Sequence, residues 1–340
     1  MTNRFALTDL RIPAVSAPMA GGPSTPALAA AVSNSGGLGF LAGGMVSATA
    51  LEQAFTAARR RTSGALGINV FVPQQACCDR DRVAAYARRL SPEVGRYATH
   101  LGVPRHDDFG WQAKLDLLCD LRPEAVSFTF GLPGPDVCRR LRQAGILVLG
   151  TVTSVDEASL AVACGVDAVV AQGPNAGGHR ATFDARSIPS SLPLDRLLRE
   201  VSAAVDCHVV AAGGLARATD VARILELGAT AAQFGTALLL ADEAGTNPVH
   251  RAALRDPQFT ETVLTRAFTG RYARSLNNRF IKDHDHHAVF GFPEVAHLTL
   301  PIQAAAVTIA DPHGTSLWAG TAFDEAKSGS ANAILADLMP

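Results

Sequence analysis

The segment Asp167-Ala168-Val169-Val170-Ala171-Gln172-Gly173-Pro174-Asn175-Ala176-Gly177-Gly178-His179-Arg180 decides how this chain is read. It opens with a short apolar run that lacks polar alternation, the pattern of a parallel strand covered on both faces. An amide and a Gly/Pro-rich stretch then turn the strand into a loop that carries one histidine. The same plan recurs along the first 240 residues. Strands are expected at 13–17, 38–41, 66–71, 125–130, 146–149, 167–171, 208–212 and 230–234. Each is followed by an Ala- and Leu-rich stretch with helical spacing. Ser24-Thr25-Pro26, Ser47, Ser154 and Thr219 are the expected helix starts.

Eight such units in series imply an α/β fold, a closed (β/α)8 TIM barrel rather than an open doubly wound sheet. The long interval after the third strand marks residues 73–123 as a helical insertion. The alternation stops near residue 241, so residues 1–241 are expected to form the barrel. Residues 242–340 are then a C-terminal segment that completes the barrel and lids its mouth.

Composition narrows the partners. With 48% apolar residues the chain supports a large core, and 30 basic against 31 acidic residues leave a net charge of −1. That balance gives no reason to expect nucleic acid. Arg59-Arg60-Arg61 reads as a helix C-terminus, where cations oppose the dipole. No stretch approaches the roughly 20 apolar residues of a membrane span, and Arg4, Asp9 and Arg11 interrupt any signal-peptide core. The six cysteines (77, 78, 119, 138, 164, 207) contain no Cys-x-x-Cys pair. They read as reduced thiols of a cytoplasmic protein, monomer or homodimer.

In a barrel the chemistry sits at the C-terminal strand ends. Here those ends carry Met19-Ala20-Gly21-Gly22, Asn69, Gln172 with the loop to Arg180, Gly213-Gly214, and Gln233-Phe234-Gly235-Thr236. Glycines after the last two strands let backbone N–H groups approach a phosphate, helped by a following helix N-terminus and the Thr236 hydroxyl. Asn69 and Gln172 are amides at apolar strand ends and need partners, which a flavin's polar edge offers. His179, on a loop of small residues, is the candidate general base. Arg180 either holds an anion or braces the loop.

Three other features read as structural. Gly37-Leu38-Gly39-Phe40-Leu41-Ala42 has the letters of a dinucleotide fingerprint, but it enters a strand instead of joining strand to helix. His284-Asp285-His286-His287 reads as a solvated turn rather than a metal site. Nothing beside Cys77-Cys78 would lower a thiol pKa.

Taken in order, the motifs resemble the nitronate monooxygenase family, formerly 2-nitropropane dioxygenases. The matching stretches are Ala17 to Gly22 with Thr25-Pro26, Gly67 to Phe71, Ser127 to Pro133 and Ala171 to Arg180. They continue through Ala211 to Leu215, Gln233 to Thr236, Thr265 to Arg271, Asn278 to Phe280 and Leu317 to Gly320. The resemblance implies non-covalent FMN held by Asn69, Gln172, Gly177, Gly214, Gln233, Phe234, Gly235 and Thr236. Ala20, Gly21, Gly178 and Gly213 complete the expected cofactor set. It further implies oxidation of alkyl nitronates by dioxygen to a carbonyl compound and nitrite, with His179 removing the α-proton of a neutral nitroalkane.

The chain also resembles flavin enoyl reductases, which share the Ala-Gly-Gly-His loop and draw electrons from NAD(P)H. A flavin-binding module without turnover is a further alternative. Departures from the nitronate monooxygenase pattern are Asn175, where relatives commonly carry an acid, Thr129, where some carry histidine, and Thr321, where glutamine is common.

Overall fold

Eight parallel strands close a ring, each buried on both faces as the apolar runs imply. In the computed structural model, which describes residues 4–74 and 78–340, these are β1 (Ala14–Ser16), β2 (Gly39–Ala42), β3 (Leu66–Phe71), β4 (Ala125–Thr129), β5 (Leu147–Val152), β6 (Ala168–Gln172), β8 (His208–Ala212) and β9 (Ala231–Phe234). A two-residue strand, β7 (Gly178–His179), lies between β6 and β8 in sequence. It belongs to a separate small sheet with β10 (Thr262–Thr265) and β11 (Ala273–Leu276). The ring order is β1-β9-β8-β6-β5-β4-β3-β2. Closure between β1 and β2 uses Leu38: its N–H donates to Ala14 O (2.9 Å) and its carbonyl accepts from Ser16 N–H (3.0 Å). The Ser16 hydroxyl extends that seam by accepting from Phe40 N–H at 2.8 Å.

Along each strand the period of two sorts the side chains. Val15, Phe40, Ala125, Leu149, Val170 and Val210 fill the barrel interior. Alternate residues such as Val126, Phe128, Val169 and Ala171 pack outward against helices. The inward bulk of Phe40 sets one local demand, since a Cβ on Gly67 would meet its ring at 2.6 Å.

The helices, in chain order, are α1 (Pro26–Asn34), α2 (Ala48–Arg59), α3 (Arg80–Arg89), α4 (Ser91–Arg96), α5 (Trp111–Leu121), α6 (Pro135–Gln143) and α7 (Val155–Cys164). Then follow α8 (Leu194–Ala204), α9 (Ala218–Glu226), α10 (Pro248–Ala253), α11 (Arg279–His284), α12 (Glu294–Thr308) and α13 (Ala331–Leu338). Thr25, Ser47 and Ser154 cap α1, α2 and α7 through their hydroxyls as the sequence predicts. Thr219 does not cap α9. The helix starts one residue earlier, and the Asp220 carboxylate accepts the N–H groups of Ala216 (3.2 Å) and Arg217 (3.1 Å).

Eight of these helices, α1, α2, α5 to α9 and α13, form the outer layer. The last of them packs against α1 and α9, with Ala331, Ile334, Leu335 and Leu338 in the same core as the barrel's outer face. The strand–helix plan is thus completed by the end of the chain, and residues 235–330 are an excursion between the eighth strand and its helix.

The insertion and the excursion meet over the barrel mouth. Val83, Tyr86, Leu90 and Tyr97 from the insertion share a core with Phe268, Phe280, Ile281, Leu298 and Ile302. Tyr86 donates its hydroxyl to Ala267 O at 2.7 Å. Beneath that contact, buried Glu93 accepts from both terminal nitrogens of Arg279 (2.6 and 2.7 Å) and contacts His284 Nε2 (3.1 Å). Burial alone would raise the Glu93 carboxyl, but hydrogen bonds from His284 and Arg279 hold it down at about 2. Cys77 lies outside the described residues.

Candidate active site

The alternation that builds the core also builds the site. The inward positions at the C-terminal ends of β3, β4, β5, β6 and β9 are Asn69, Thr129, Thr151, Gln172 and Gln233, and all line one cavity. This polar layer sits on the apolar interior and opens into a space of about 570 Å³, within the range of small-molecule sites. Of the 13 residues proposed from sequence, 12 line it: Ala20, Gly21, Asn69, Gln172, Gly177, Gly178, His179, Gly213, Gly214, Gln233, Gly235 and Thr236. Phe234 does not. Its outward parity on β9 places the ring, 1% exposed, in the core between barrel and helices. No Asp, Glu, Lys or Arg stands among the described lining residues.

The two closing loops leave backbone donors unspent. Among the described residues, the N–H groups of Gly213, Gly214, Gly235 and Thr236 have no hydrogen-bond partner. Gly213 (φ 108°) and Gly214 (φ 76°) hold a left-handed backbone, and a Cβ on either would crowd Ala176 or Asn175 at 2.9 Å. Thr236 Oγ1 accepts from Gly320 N–H at 2.9 Å, which leaves its own proton to donate into the cavity. Helix dipoles add little, contrary to the sequence expectation. The residues after Gly235 make a single 3-10 turn, and at the start of α9 the Asp220 carboxylate already occupies the N–H groups of Ala216 and Arg217.

The three amides differ in what they have left to offer. Asn69 spends its NH2 on Ser127 O (3.1 Å), Ser127 Oγ (2.9 Å) and Thr129 Oγ1 (3.0 Å), so its carbonyl oxygen is the group left for a ligand. The bond to a backbone carbonyl fixes that orientation. Gln172 clamps its own loop, donating to His179 O and accepting from Ala181 N–H, both at 3.0 Å. Gln233 has no side-chain partner among the described residues. Arg180 braces the loop: 1% exposed, it donates to Gln172 O at 3.2 Å and closely to Gly173 O.

His179 is held by groups from distant parts of the chain. β7 pairs with β11, setting His179 opposite Ala273. Its Nε2 lies 2.9 Å from Thr269 Oγ1, and that hydroxyl donates to Arg271 O at 3.2 Å. With its proton so placed, Thr269 accepts from Nε2–H, and the lone pair of Nδ1 is left for the cavity. Phe130, Phe292 and Trp318 surround the imidazole at ring-centroid distances of 5.6, 5.5 and 5.6 Å. His179 also lines the cavity. Burial, and then the nearby Arg271 charge, push its pKa down to about 3. Arg271 is itself buried, its guanidinium 4.0 Å over the Phe130 ring and 3.0 Å from Gln74 Oε1.

Sequence reasoning missed Thr269, Arg271, Phe292 and Trp318 as parts of this site. The available signal was the run Thr265 to Arg271 and Leu317 to Gly320, noted as motifs but given no role. Close packing explains the second of these: a Cβ on Gly177 would meet Ala319 C and Gly320 N at 2.5 Å. The loop and the Trp-Ala-Gly segment therefore touch backbone to backbone. His250 also lines the cavity, and its Nε2 is buried without a partner.

Elsewhere, Gly37 and Gly39 serve packing, since Cβ atoms there would strike Ala14 O (2.5 Å) and Ala29 O (1.9 Å). The expected solvated turn at His284 to His287 is corrected at its first residue, because His284 is buried against Glu93. His286 is exposed.

Comparison with known proteins agrees with this architecture. The family model described as nitronate monooxygenase matches residues 4–340. A probable nitronate monooxygenase of Staphylococcus aureus (strain MRSA252) is 35% identical over 350 residues, covering 100% of this chain and 97% of that protein. The nitroalkane oxidase structure from Streptomyces ansochromogenes superposes with a TM-score of 0.93 at 44% identity, covering 98% of this chain and 96% of that one. FabK from Thermotoga maritima shares the fold at 24% identity, with a TM-score of 0.76 over 99% and 95% of the two chains. With whole-chain matches in both sequence and structure, this oxidoreductase belongs to the nitronate monooxygenase family.

Proposed function

We propose that the protein binds FMN and oxidises alkyl nitronates with dioxygen, giving a carbonyl compound and nitrite. His179 would act as base toward neutral nitroalkanes. The observation that carries this reading is His179, whose pKa burial and the nearby Arg271 charge push down, in a cavity with no Asp, Glu, Lys or Arg among its described lining residues.

The site suits the cofactor. Unpaired N–H groups at Gly213, Gly214, Gly235 and Thr236, with the Thr236 hydroxyl, would receive the phosphate. The Asn69 carbonyl oxygen and the Gln233 amide would serve the ring's polar edge. Ala20, Gly21, Gly177 and Gly178 leave room for a flat group against backbone. Bound FMN supplies the electron acceptor and the reaction with dioxygen.

His179 in isolation is a weak base, because a second positive charge beside Arg271 is costly. Removing a proton from a nitroalkane changes that balance, since the nitronate formed is an anion in contact with the new imidazolium. The pair is favourable where either charge alone is not. A preformed nitronate needs no such transfer. Arg271 would attract it, and His179 would position it, with the rings of Phe130, Phe292 and Trp318 excluding water.

Anaerobic mixing of the purified flavoprotein tests this. Nitronate should bleach the flavin and NADPH should not. Rapid bleaching by NADPH alone would overturn the reading in favour of a reductase.

A further inference from the structure

A second cavity, of about 160 Å³, lies between β2, α2 and the loop that follows β1. Leu41 and Ala42 of β2 line it with Leu51 and Ala54 of α2. Ser24 is the one polar side chain among its described lining residues, and its hydroxyl is spent. It accepts from Met19 N–H at 2.8 Å and donates to Ala17 O at 3.3 Å. At one end Val46 and Ala50 are exposed, so the space opens to solvent. At the other it meets the candidate active site, because Met19, Ala20 and Gly21 line both spaces. No side chain closes the loop at Gly21, where an added Cβ would find nothing within 4 Å. The position matters as much as the lining. In the ring order β2 stands four places from β6, so this cavity lies across the barrel mouth from His179. A nitronate held at His179 among Phe130, Phe292 and Trp318 leaves this side clear.

Resting on the proposed reaction with dioxygen, we infer that this second cavity is a dioxygen site and the gas's entry to the cofactor. Dioxygen is small, apolar and uncharged, so it gains from a wall with no unspent polar side chain. A nitronate or a phosphate would give up hydration there without return. The organic substrate and dioxygen then reach the cofactor from opposite sides, and neither has to leave for the other to enter.

Two measurements test this, and neither uses a nitronate. Crystals of the holoprotein under xenon pressure should show the gas between Ala42 and Ala54, since xenon enters apolar cavities. No xenon there overturns the site. Flavin reduced by light and EDTA, then mixed with dissolved dioxygen, reads the route. Ala54→Phe, which fills the cavity from α2, should slow reoxidation about tenfold or more, within the range that altered access gives association rates. FMN should be retained as in wild type. Ala50→Leu, at an exposed position that tolerates the change, should slow reoxidation in the same direction and serves if Ala54→Phe does not fold. Slowed reoxidation together with bound xenon supports the inference. Reoxidation at the wild-type rate in a folded variant overturns the route, whatever xenon shows. If no nitronate reduces the flavin, the proposed function fails alone, because both measurements stand without it.

Discussion

His179 Nε2 and Thr269 Oγ1 meet at 2.9 Å although 90 residues separate them. The contact joins a loop of the barrel to the excursion that covers it. Because Thr269 passes its own proton to Arg271 O, the bond sets which ring nitrogen of His179 is free. A hydroxyl supplied by the lid thus fixes the tautomer of a residue supplied by the barrel.

Replacing His179 by Asn should separate two substrates. Loss of the base removes proton abstraction, worth about 10²–10⁴-fold, so turnover of neutral nitroalkanes should fall within that range. Preformed nitronates should lose about tenfold or less. Equal losses on both would remove the proton-transfer role and leave only positioning.

Thr269→Val keeps shape and deletes the hydroxyl. Nε2 then loses its partner in a buried site, at a cost of about 1 kcal/mol or more. The fraction of His179 in the productive tautomer should fall with it. We expect about a tenfold loss of kcat with neutral nitroalkanes, and Thr269→Ser should restore most of it. Unchanged kcat in the Val variant would show that the tautomer is set elsewhere.

Gly177→Ala tests the backbone contact behind the cavity. The added Cβ would stand 2.5 Å from Ala319 C and Gly320 N, which are backbone atoms with little room to yield. Gly320 N–H is also the donor to Thr236 Oγ1, so its displacement should disturb the proposed phosphate site. The variant should retain FMN at least about tenfold more weakly, measured as released flavin after dilution. Retention equal to wild type would place the cofactor elsewhere.

The barrel was legible because strands covered on both faces must be apolar throughout, and each of the eight ring strands has its bounds within three residues of those expected. The glycine clusters and His179 were legible because strand ends are where a barrel exposes polar groups. The lid was not. β7 is only Gly178–His179 and β10 only Thr262–Thr265, too short to show a period. They exist because they pair with β11, a long-range contact that local pattern does not encode. The eighth barrel helix escaped for a related reason: α13 begins at Ala331, far beyond the strand whose unit it completes. Thr269, Arg271 and Trp318 carry ordinary residue types, and only the fold brings them to the imidazole.

Acid should weaken the protein in a defined window. Burial holds His179 down at about 3, with Arg271 adding to the effect, and burial holds His250 at about 4, against an ordinary 6.5. Folded values below unfolded ones mean that the unfolded chain takes up protons first. The stability from these neutral rings is full above pH 6.5 and is lost as pH falls toward 4 and 3. Between pH 7 and 5 the loss is up to about 2 kcal/mol for each ring, visible as a lower urea midpoint. His179→Asn combined with His250→Gln should flatten this part of the profile. An unaltered slope in the double variant would assign the acid sensitivity to other groups.

Glu93→Gln should loosen the lid before the barrel. Glu93 is the shared acceptor of Arg279 and His284 at the junction of α4 and α11. Deleting its charge leaves Arg279 with the exposed Asp283 at 3.0 Å as its remaining carboxylate. Breaking a buried pair from one side costs about 3–5 kcal/mol, reduced here because Arg279 is partly open to solvent. Barrel strands have their own core and do not draw on this cluster. Amide exchange should therefore accelerate in 80–96 and 279–308 while 147–152 and 168–172 stay protected. Activity should fall with it, because Phe292 and Trp318, two walls of the His179 site, come from the lid. Uniform acceleration across the barrel strands would show instead that lid and barrel unfold as one unit.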